Sequence, residues 1–180
     1  MKIWIIVLYL LSITAANVLT ASFAPLTLGV LIIPVGSLFI GATFILRDFV
    51  QNAIGRKKTY ITIATAMALS FVTSYALGDT LWIVFASAIT FLLSETTDTE
   101  IYTRLQLPMS QKVLYSGVVG GLVDSVVFVI IGLSPIGAGF LPWDAVGYAI
   151  LGQVLVKIVM QCMGAALVAA ASRNGRVAKV

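Results

Sequence analysis

Phe91-Leu92-Leu93-Ser94-Glu95-Thr96-Thr97-Asp98-Thr99-Glu100-Ile101-Tyr102-Thr103-Arg104-Leu105 is the stretch whose reading decides the fold. A hydrophobic run from Trp82 to Leu93 meets three carboxylates and an arginine. On a helix, Glu95 and Asp98 are three apart and share a face, with Thr99 and Tyr102 beside Glu95 and Arg104 about a turn and a half below Asp98. That spacing suits a polar face turned inward. If the helix instead leaves a bilayer at Ser94, the same charges are solvated, and this stretch alone leaves both readings open.

Composition narrows the choice. Of 180 residues, 60% are hydrophobic and 10% charged, and the mean hydropathy is +1.08, beyond what a soluble domain of this size carries. The chain therefore reads as an integral membrane protein. Five Pro and 15 Gly are scattered through the hydrophobic runs, as transmembrane helices tolerate, and the short alternating segments of a membrane barrel are absent. The expected fold class is all-α. One cysteine, Cys162, excludes an internal disulfide, and with no histidine the usual zinc, haem and imidazole-base chemistries lack ligands, so no metal and no cofactor is expected. The net charge of +4 could suggest nucleic acid, but the basic residues fall at the ends of the hydrophobic runs, as membrane topology requires.

Six spans follow, each near the roughly 20 residues that cross a bilayer core: Ile3 to Thr20, Leu28 to Leu46, Tyr60 to Leu77, Leu81 to about Tyr102, Val113 to Leu133 and Ala145 to Ala171. Asn17 and the lack of a small-x-small cleavage site make the first a retained helix rather than a signal peptide. Pro34 inside the second run predicts a kink or a late start, and a late start carries Arg47 and Asp48 deeper into the membrane. With both termini inside, Lys2, Arg47, Arg56, Lys57, Lys58, Arg104, Lys112, Arg173, Arg176 and Lys179 all fall on the cytoplasmic face, ten of the eleven basic residues. The outer loops hold only Asp79 and Asp144. No soluble domain, linker or sequence repeat interrupts residues 1–180, which read as one domain; the three-plus-three arrangement only hints at inverted repeats.

The eleventh basic residue, Lys157, lies in the middle of the last span, where a lysine costs on the order of 3 kcal/mol and cannot easily snorkel. It needs an anionic or strongly polar partner. Gln153 and Gln161 are one turn to either side, so the last helix carries a polar stripe that must face protein or a water-filled cavity. Asp124, mid-way along the fifth span in Gly117-Val118-Val119-Gly120-Gly121-Leu122-Val123-Asp124-Ser125, is the expected counter-charge, with Glu95 or Asp98 the alternatives. Small residues there permit close helix approach. The fifth and sixth spans are joined by a short loop, and counting from it at about 1.5 Å per residue puts Asp124 and Lys157 within a turn of equal depth. A plainer reading makes Lys157 a packing residue paired with a carboxylate. Asn17 serves equally well as a backbone-bonding residue or a ligand contact. Arg56, Lys57 and Lys58 read as loop residues that set topology.

Phe44-Ile45-Leu46-Arg47-Asp48-Phe49-Val50-Gln51 with Gly55-Arg56, Ser94-Glu95-x-x-Asp98-x-x-Ile101-Tyr102-x-x-Leu105, and Val123-Asp124-Ser125-Val126-x-Phe128 resemble, in order and spacing, the putative vitamin uptake transporter family, also called the queuosine-precursor transporters. Asn17 and Lys157 also fall where that family has an asparagine in its first helix and a lysine in its last. The resemblance covers most of the chain. It implies six transmembrane helices in the inner membrane and uptake of a deazaguanine base, the cyano or aminomethyl precursor of queuosine. Three features depart from the pattern: the chain is compact with short loops, Arg47 precedes Asp48 where the family often has an uncharged residue, and Gln51 stands near where many members carry an acid.

The residues suit such a solute on their own chemistry. A deazaguanine presents two adjacent donors and a carbonyl on a flat apolar ring; a carboxylate accepts from both donors, an amide or lysine donates to the carbonyl, and Phe91, Tyr102 or Phe128 can stack on the ring. The expected substrate-binding set is Asn17, Arg47, Asp48, Glu95, Asp98, Tyr102, Asp124, Gln153, Lys157 and Gln161, with Glu95 and Asp98 lining the cavity. The expected partners are the small solute and the lipid bilayer, with a homodimer left open. One rival is the substrate-binding subunit of an energy-coupling-factor vitamin importer. Its Ala-x-x-x-Ala docking pattern is missing from the first span, where Ala16 is followed four later by Thr20 and Ala15 by Leu19. A membrane-embedded enzyme using Asp98 or Asp124 lacks any supporting motif.

Overall fold

A computed structural model describes residues 2–173 of the chain. Six α-helices follow one another: α1 (Lys2–Ser22), α2 (Gly36–Ile54), α3 (Arg56–Ala76), α4 (Leu81–Arg104), α5 (Met109–Val127) and α6 (Trp143–Arg173). Five of them, all but α2, are long and apolar enough to cross a membrane. α2 has 19 residues, and Arg47, Asp48, Gln51 and Asn52 in its second half lower its hydropathy. It is nevertheless the central element, packing against each of the other five helices.

The all-helical expectation needs one correction. Leu26–Leu28 (β1) and Leu31–Ile33 (β2) pair as an antiparallel hairpin, so the second span begins at Gly36, after Pro34, and not at Leu28. Gly29 makes the turn at φ 61°, the left-handed conformation that the first central residue of a tight hairpin turn requires. The Leu26–Ile33 run, with Thr27 its one polar residue, has no sustained alternation that announces a strand. The hairpin packs on α6 at Gly152, where a Cβ would sit 2.8 Å from the Ile32 carbonyl.

Two further boundaries differ from expectation. Arg56, Lys57 and Lys58 form the first turn of α3 and not a loop, because Gly55, at φ 80°, reverses the chain in a single residue. α5 continues as a π-helical stretch over Phe128–Leu133 before the chain turns. Such π-helical turns are rare and short; here the Trp82 indole at the start of α4 donates to the Ile131 carbonyl at 2.8 Å.

Side chains sort in the manner of a membrane bundle. Ile3, Trp4, Leu8, Leu11, Ile61, Phe85, Leu122, Val159 and Leu167 face outward, while hydroxyls, amides and charges turn inward. Two apolar clusters close one half of the bundle. Tyr9, Ile13, Val50, Ile63, Ala66 and Phe91 join α1 to α4. Tyr102, Met109, Val113 and Val168 join α4, α5 and α6 at the same end.

That end is also the basic one. Lys2, Arg56, Lys57, Lys58, Arg104, Lys112 and Arg173 all sit at helix termini there; Arg176 and Lys179 lie outside the described residues. Arg47 does not join them. It has no exposed surface, and its place among the topology-setting charges is corrected to the bundle interior, where the late start of α2 carries it. Asp79 and Asp144 mark the opposite end. We expect the basic end to be cytoplasmic, since Lys and Arg in short loops are retained on that side. Paired reporters fused after Val180 should report a cytoplasmic location; a reporter active only outside would reverse the orientation.

Candidate functional site

A single polar seam runs through the interior, divided between a cavity and a charge cluster beneath it. α4 supplies the seam's spine. Phe91, Ser94, Glu95, Asp98, Thr99 and Tyr102 recur at three- and four-residue spacing and are all buried, the inward polar face that this helix's spacing predicts. The alternative of solvation from Ser94 onward holds only for the last turn, where Glu100 pairs with Arg56 at 2.5 Å and Arg104 is exposed.

The cavity has a volume of about 290 Å³ and enters from the end bearing the hairpin. Its mouth is rimmed by Phe23 and Phe140, both more than half exposed. Ile13, Ile40, Ile83, Phe91 and Phe128 make apolar walls, and Asp124, Lys157 and Gln153 form the floor. A small concave site with apolar walls and few convergent polar groups is the usual form of a small-molecule pocket, of which this is at the lower end in size, roughly 300–1,000 Å³ being typical.

Each floor residue is held by a neighbour. Lys157 Nζ lies 2.6 Å from Asp124 Oδ2 and 2.8 Å from Ser125 Oγ, and also donates to Gln153 Oε1 at 3.3 Å. The Asp124–Lys157 pairing expected from equal depth is thus present, between antiparallel neighbours α5 and α6. Asp124 Oδ1 accepts from Ser94 Oγ at 3.3 Å, which ties the pair to α4. Gln153 Nε2 and Thr90 Oγ1 are buried at the cavity without a partner. On the α1 side, Asn17 donates its amide to Ser70 and Thr73 of α3, at 3.0 and 2.8 Å, and lines the cavity.

Glu95 and Asp98 are placed differently from expectation. They do not line the cavity but lie toward the basic end, beneath the floor, wrapped around Arg47. Arg47 Nη2 is 2.8 Å from Asp48 Oδ1 and also contacts Asp98 Oδ2; Nε is 3.4 Å from Glu95 Oε2. Its Nη1 donates to Gln51 Oε1 at 2.8 Å and to Thr99 Oγ1 at 3.3 Å, and the guanidinium carbon sits 5.9 Å from the centre of the Tyr102 ring. The reason for the shift is Arg47 itself: a buried guanidinium with five donors attracts every nearby carboxylate. Gln161 is one turn past Lys157, donating to the Gly41 carbonyl at 3.0 Å, and does not reach the cavity.

Glycine makes this convergence sterically feasible. A Cβ at Gly117 would meet Gln161 Oε1 at 2.2 Å, and one at Gly120 would come within 2.8 Å of the Asp98 Cβ. Both α4 and α6 therefore pack closely against the α5 backbone.

Of the ten residues read as the site, Asn17, Asp124, Gln153 and Lys157 meet at the cavity, and Arg47, Asp48, Glu95, Asp98 and Tyr102 form the lower cluster. Sequence reasoning missed the small hydroxyls Ser37, Ser87 and Thr90. On α4 the Ser87-Thr90-Phe91-Ser94 spacing is a detectable continuation of the Glu95 face.

A family model described as putative vitamin uptake transporter matches residues 73–171, more than half of the chain. No curated protein and no solved structure matches it. The matched segment carries Glu95, Asp98, Asp124, Gln153 and Lys157; Asn17 and Arg47 lie before it.

The floor pair generates a double-mutant test. Lys157→Ala or Asp124→Ala leaves one buried charge unpaired, an effect of roughly 3–5 kcal/mol, whereas removing both is less damaging. Thermal unfolding of the purified protein should show the double variant more stable than either single one. Strictly additive losses would refute the coupling.

Proposed function

The chain belongs to the putative vitamin uptake transporter family, and on that premise we propose that it is an inner-membrane importer of a small planar nitrogenous solute, a 7-deazaguanine precursor of queuosine. The supporting observation is the chemistry of the cavity floor. A carboxylate, an ammonium and an amide donor without a partner meet at the base of a pocket with aromatic walls.

Asp124 retains lone pairs toward the cavity and can accept from the ring N–H and exocyclic amine of a deazaguanine, two donors side by side. Gln153 Nε2 supplies a donor for the carbonyl, and making that bond satisfies an amide that is otherwise buried alone. Phe91 and Phe128 offer faces for the flat ring. Asn17, on the opposite wall, reads a further donor on the solute. Lys157 holds Asp124 in place rather than reading the base itself.

Import requires the floor to open toward the basic end. In the present conformation the Arg47 cluster and the two apolar clusters close that route. The structure therefore corresponds, on this reading, to the form that receives solute from outside.

Cells that cannot make deazaguanines should accumulate radiolabelled 7-cyano- or 7-aminomethyl-7-deazaguanine only when they carry this protein. Loss of a charge-assisted hydrogen bond in Asp124→Asn should weaken apparent affinity by about 1.5–3 kcal/mol, roughly 10- to 150-fold. Accumulation that ignores both bases, or an Asp124→Asn variant with wild-type affinity, would set this reading aside.

A further inference from the structure

The Arg47 cluster holds more negative charge than its one cation can balance. Asp48, Glu95 and Asp98 are at most 1% exposed, as is Arg47, so the four groups together carry a formal charge of −2 when all are ionised. Among the described residues, no surrounding element corrects the imbalance. From α6, Lys157 is committed to Asp124 of α5. Lys112, also on α5, lies over the Tyr102 ring at 5.4 Å, and Arg56 of α3 pairs with Glu100 at the surface. α2 adds only Gln51, α5 the hydroxyl of Ser116, α4 that of Thr99, and α1 that of Tyr9.

The oxygens point to the same conclusion independently. Arg47 forms ion pairs with Asp48 Oδ1, Glu95 Oε2 and Asp98 Oδ2, yet none of the six oxygens of these buried carboxylates receives a well-formed hydrogen bond. A buried ionised oxygen without a donor is strongly unfavourable, and carboxylates sharing one site cannot all ionise. A proton on one of them removes a charge and supplies the missing donor together. The Tyr9 hydroxyl, fully buried and making no hydrogen bond of good geometry, faces Glu95 from the side of α1.

We propose that the Arg47 cluster is a proton-binding site that holds at least one exchangeable proton at neutral pH, shared among Glu95, Asp98 and Asp48, and that carries it inward with the solute. The step is a protonation only: a carboxylate oxygen gains a proton from water on the cavity side and returns it to water at the basic end. Two connections place the cluster between those sides. Ser94, the residue before Glu95, bonds Asp124 of the cavity floor, so a solute that engages Asp124 acts on the same turn of α4. Below, Arg47 bonds Gln51, and Gln51 bonds Thr103, which is exposed at the basic end. Coupling between solute and proton is then reciprocal, each favouring the other's binding.

The coupling rests on the transport reading above, whereas the presence of the proton does not, and the test separates them. Infrared difference spectra of the full chain in lipid, in H₂O and in D₂O, should show a deuterium-sensitive carboxylic-acid C=O band at neutral pH. That band should weaken or vanish in Glu95→Gln, Asp98→Asn or Asp48→Asn and persist in Asp144→Asn, a control outside the cluster. The amides imitate protonated carboxyls, so these variants should fold. Absence of the band, or its survival in all three cluster variants, would overturn the proton site. In proteoliposomes, an outside-acid gradient should accelerate uptake of 7-aminomethyl-7-deazaguanine severalfold, and Asp98→Asn should lose that acceleration. Uptake indifferent to the pH gradient, or driven by sodium instead, would overturn the coupling. If that base is not taken up under any gradient, the substrate reading fails, and the infrared result still decides the proton.

Discussion

Arg47 is a guanidinium with no exposed atom in a chain built to sit in lipid, and the rest of the interior is arranged to satisfy it. Its charge cannot be discharged, because arginine does not deprotonate in proteins, so the fold must bring anions to it. Asp48 comes from its own helix, and Glu95 and Asp98 come from α4. These contacts fix the depth of α4 against α2. They also decide where the cavity ends, since the carboxylates that could have faced a solute are turned down toward the guanidinium. Removing the arginine while keeping the acids would leave three carboxylates facing one another, which is why the cluster acts as a unit.

The second pair, Asp124 with Lys157, performs the same service for α5 and α6, and Ser94 joins the two systems through α4. Neither arrangement survives without thin helices. In lipid there is no hydrophobic force to draw helices together, so close packing and interhelical polar contacts do it. The glycines of α5 face Asp98, Lys157 and Gln161 and let those side chains cross where a methyl group would collide. The hairpin and the π-helical stretch then shape the open end, holding Pro34, Phe128 and Leu133 at the cavity wall.

Much of this was written in the sequence where charge and depth leave few choices. Lys157 in mid-span had to find an acid, and counting residues from the connecting loop was enough to select Asp124. The inward face of α4 was legible for the same reason: its acids share one face of the helix. Arg47 is ambiguous in the sequence, counting both with the cytoplasmic charges and in the binding set, and only the position of the helix start separates a buried arginine from a topology signal. Pro34 warned of that late start, but the hairpin before it has no sustained alternation to reveal it. The partition of the polar residues into cavity and cluster could not be read, because it depends on which carboxylates the guanidinium reaches in three dimensions. The small hydroxyls at the cavity were hidden by their tolerance in any transmembrane helix.

The cavity opens at the hairpin end and is closed toward the basic end by the Arg47 cluster, an arrangement that cysteine accessibility can probe from each side of the membrane. Cys162, the chain's one cysteine, is exposed and can be removed by Cys162→Ala. In that background, cysteines placed at Ser37 and Ser87, on the cavity wall, should react with a membrane-impermeant thiol reagent added from outside the cell. A cysteine at Thr99, beside Arg47, should remain unlabelled from that side. Labelling of Thr99→Cys from outside, or of Ser37→Cys and Ser87→Cys only from the cytoplasmic side, would contradict the account.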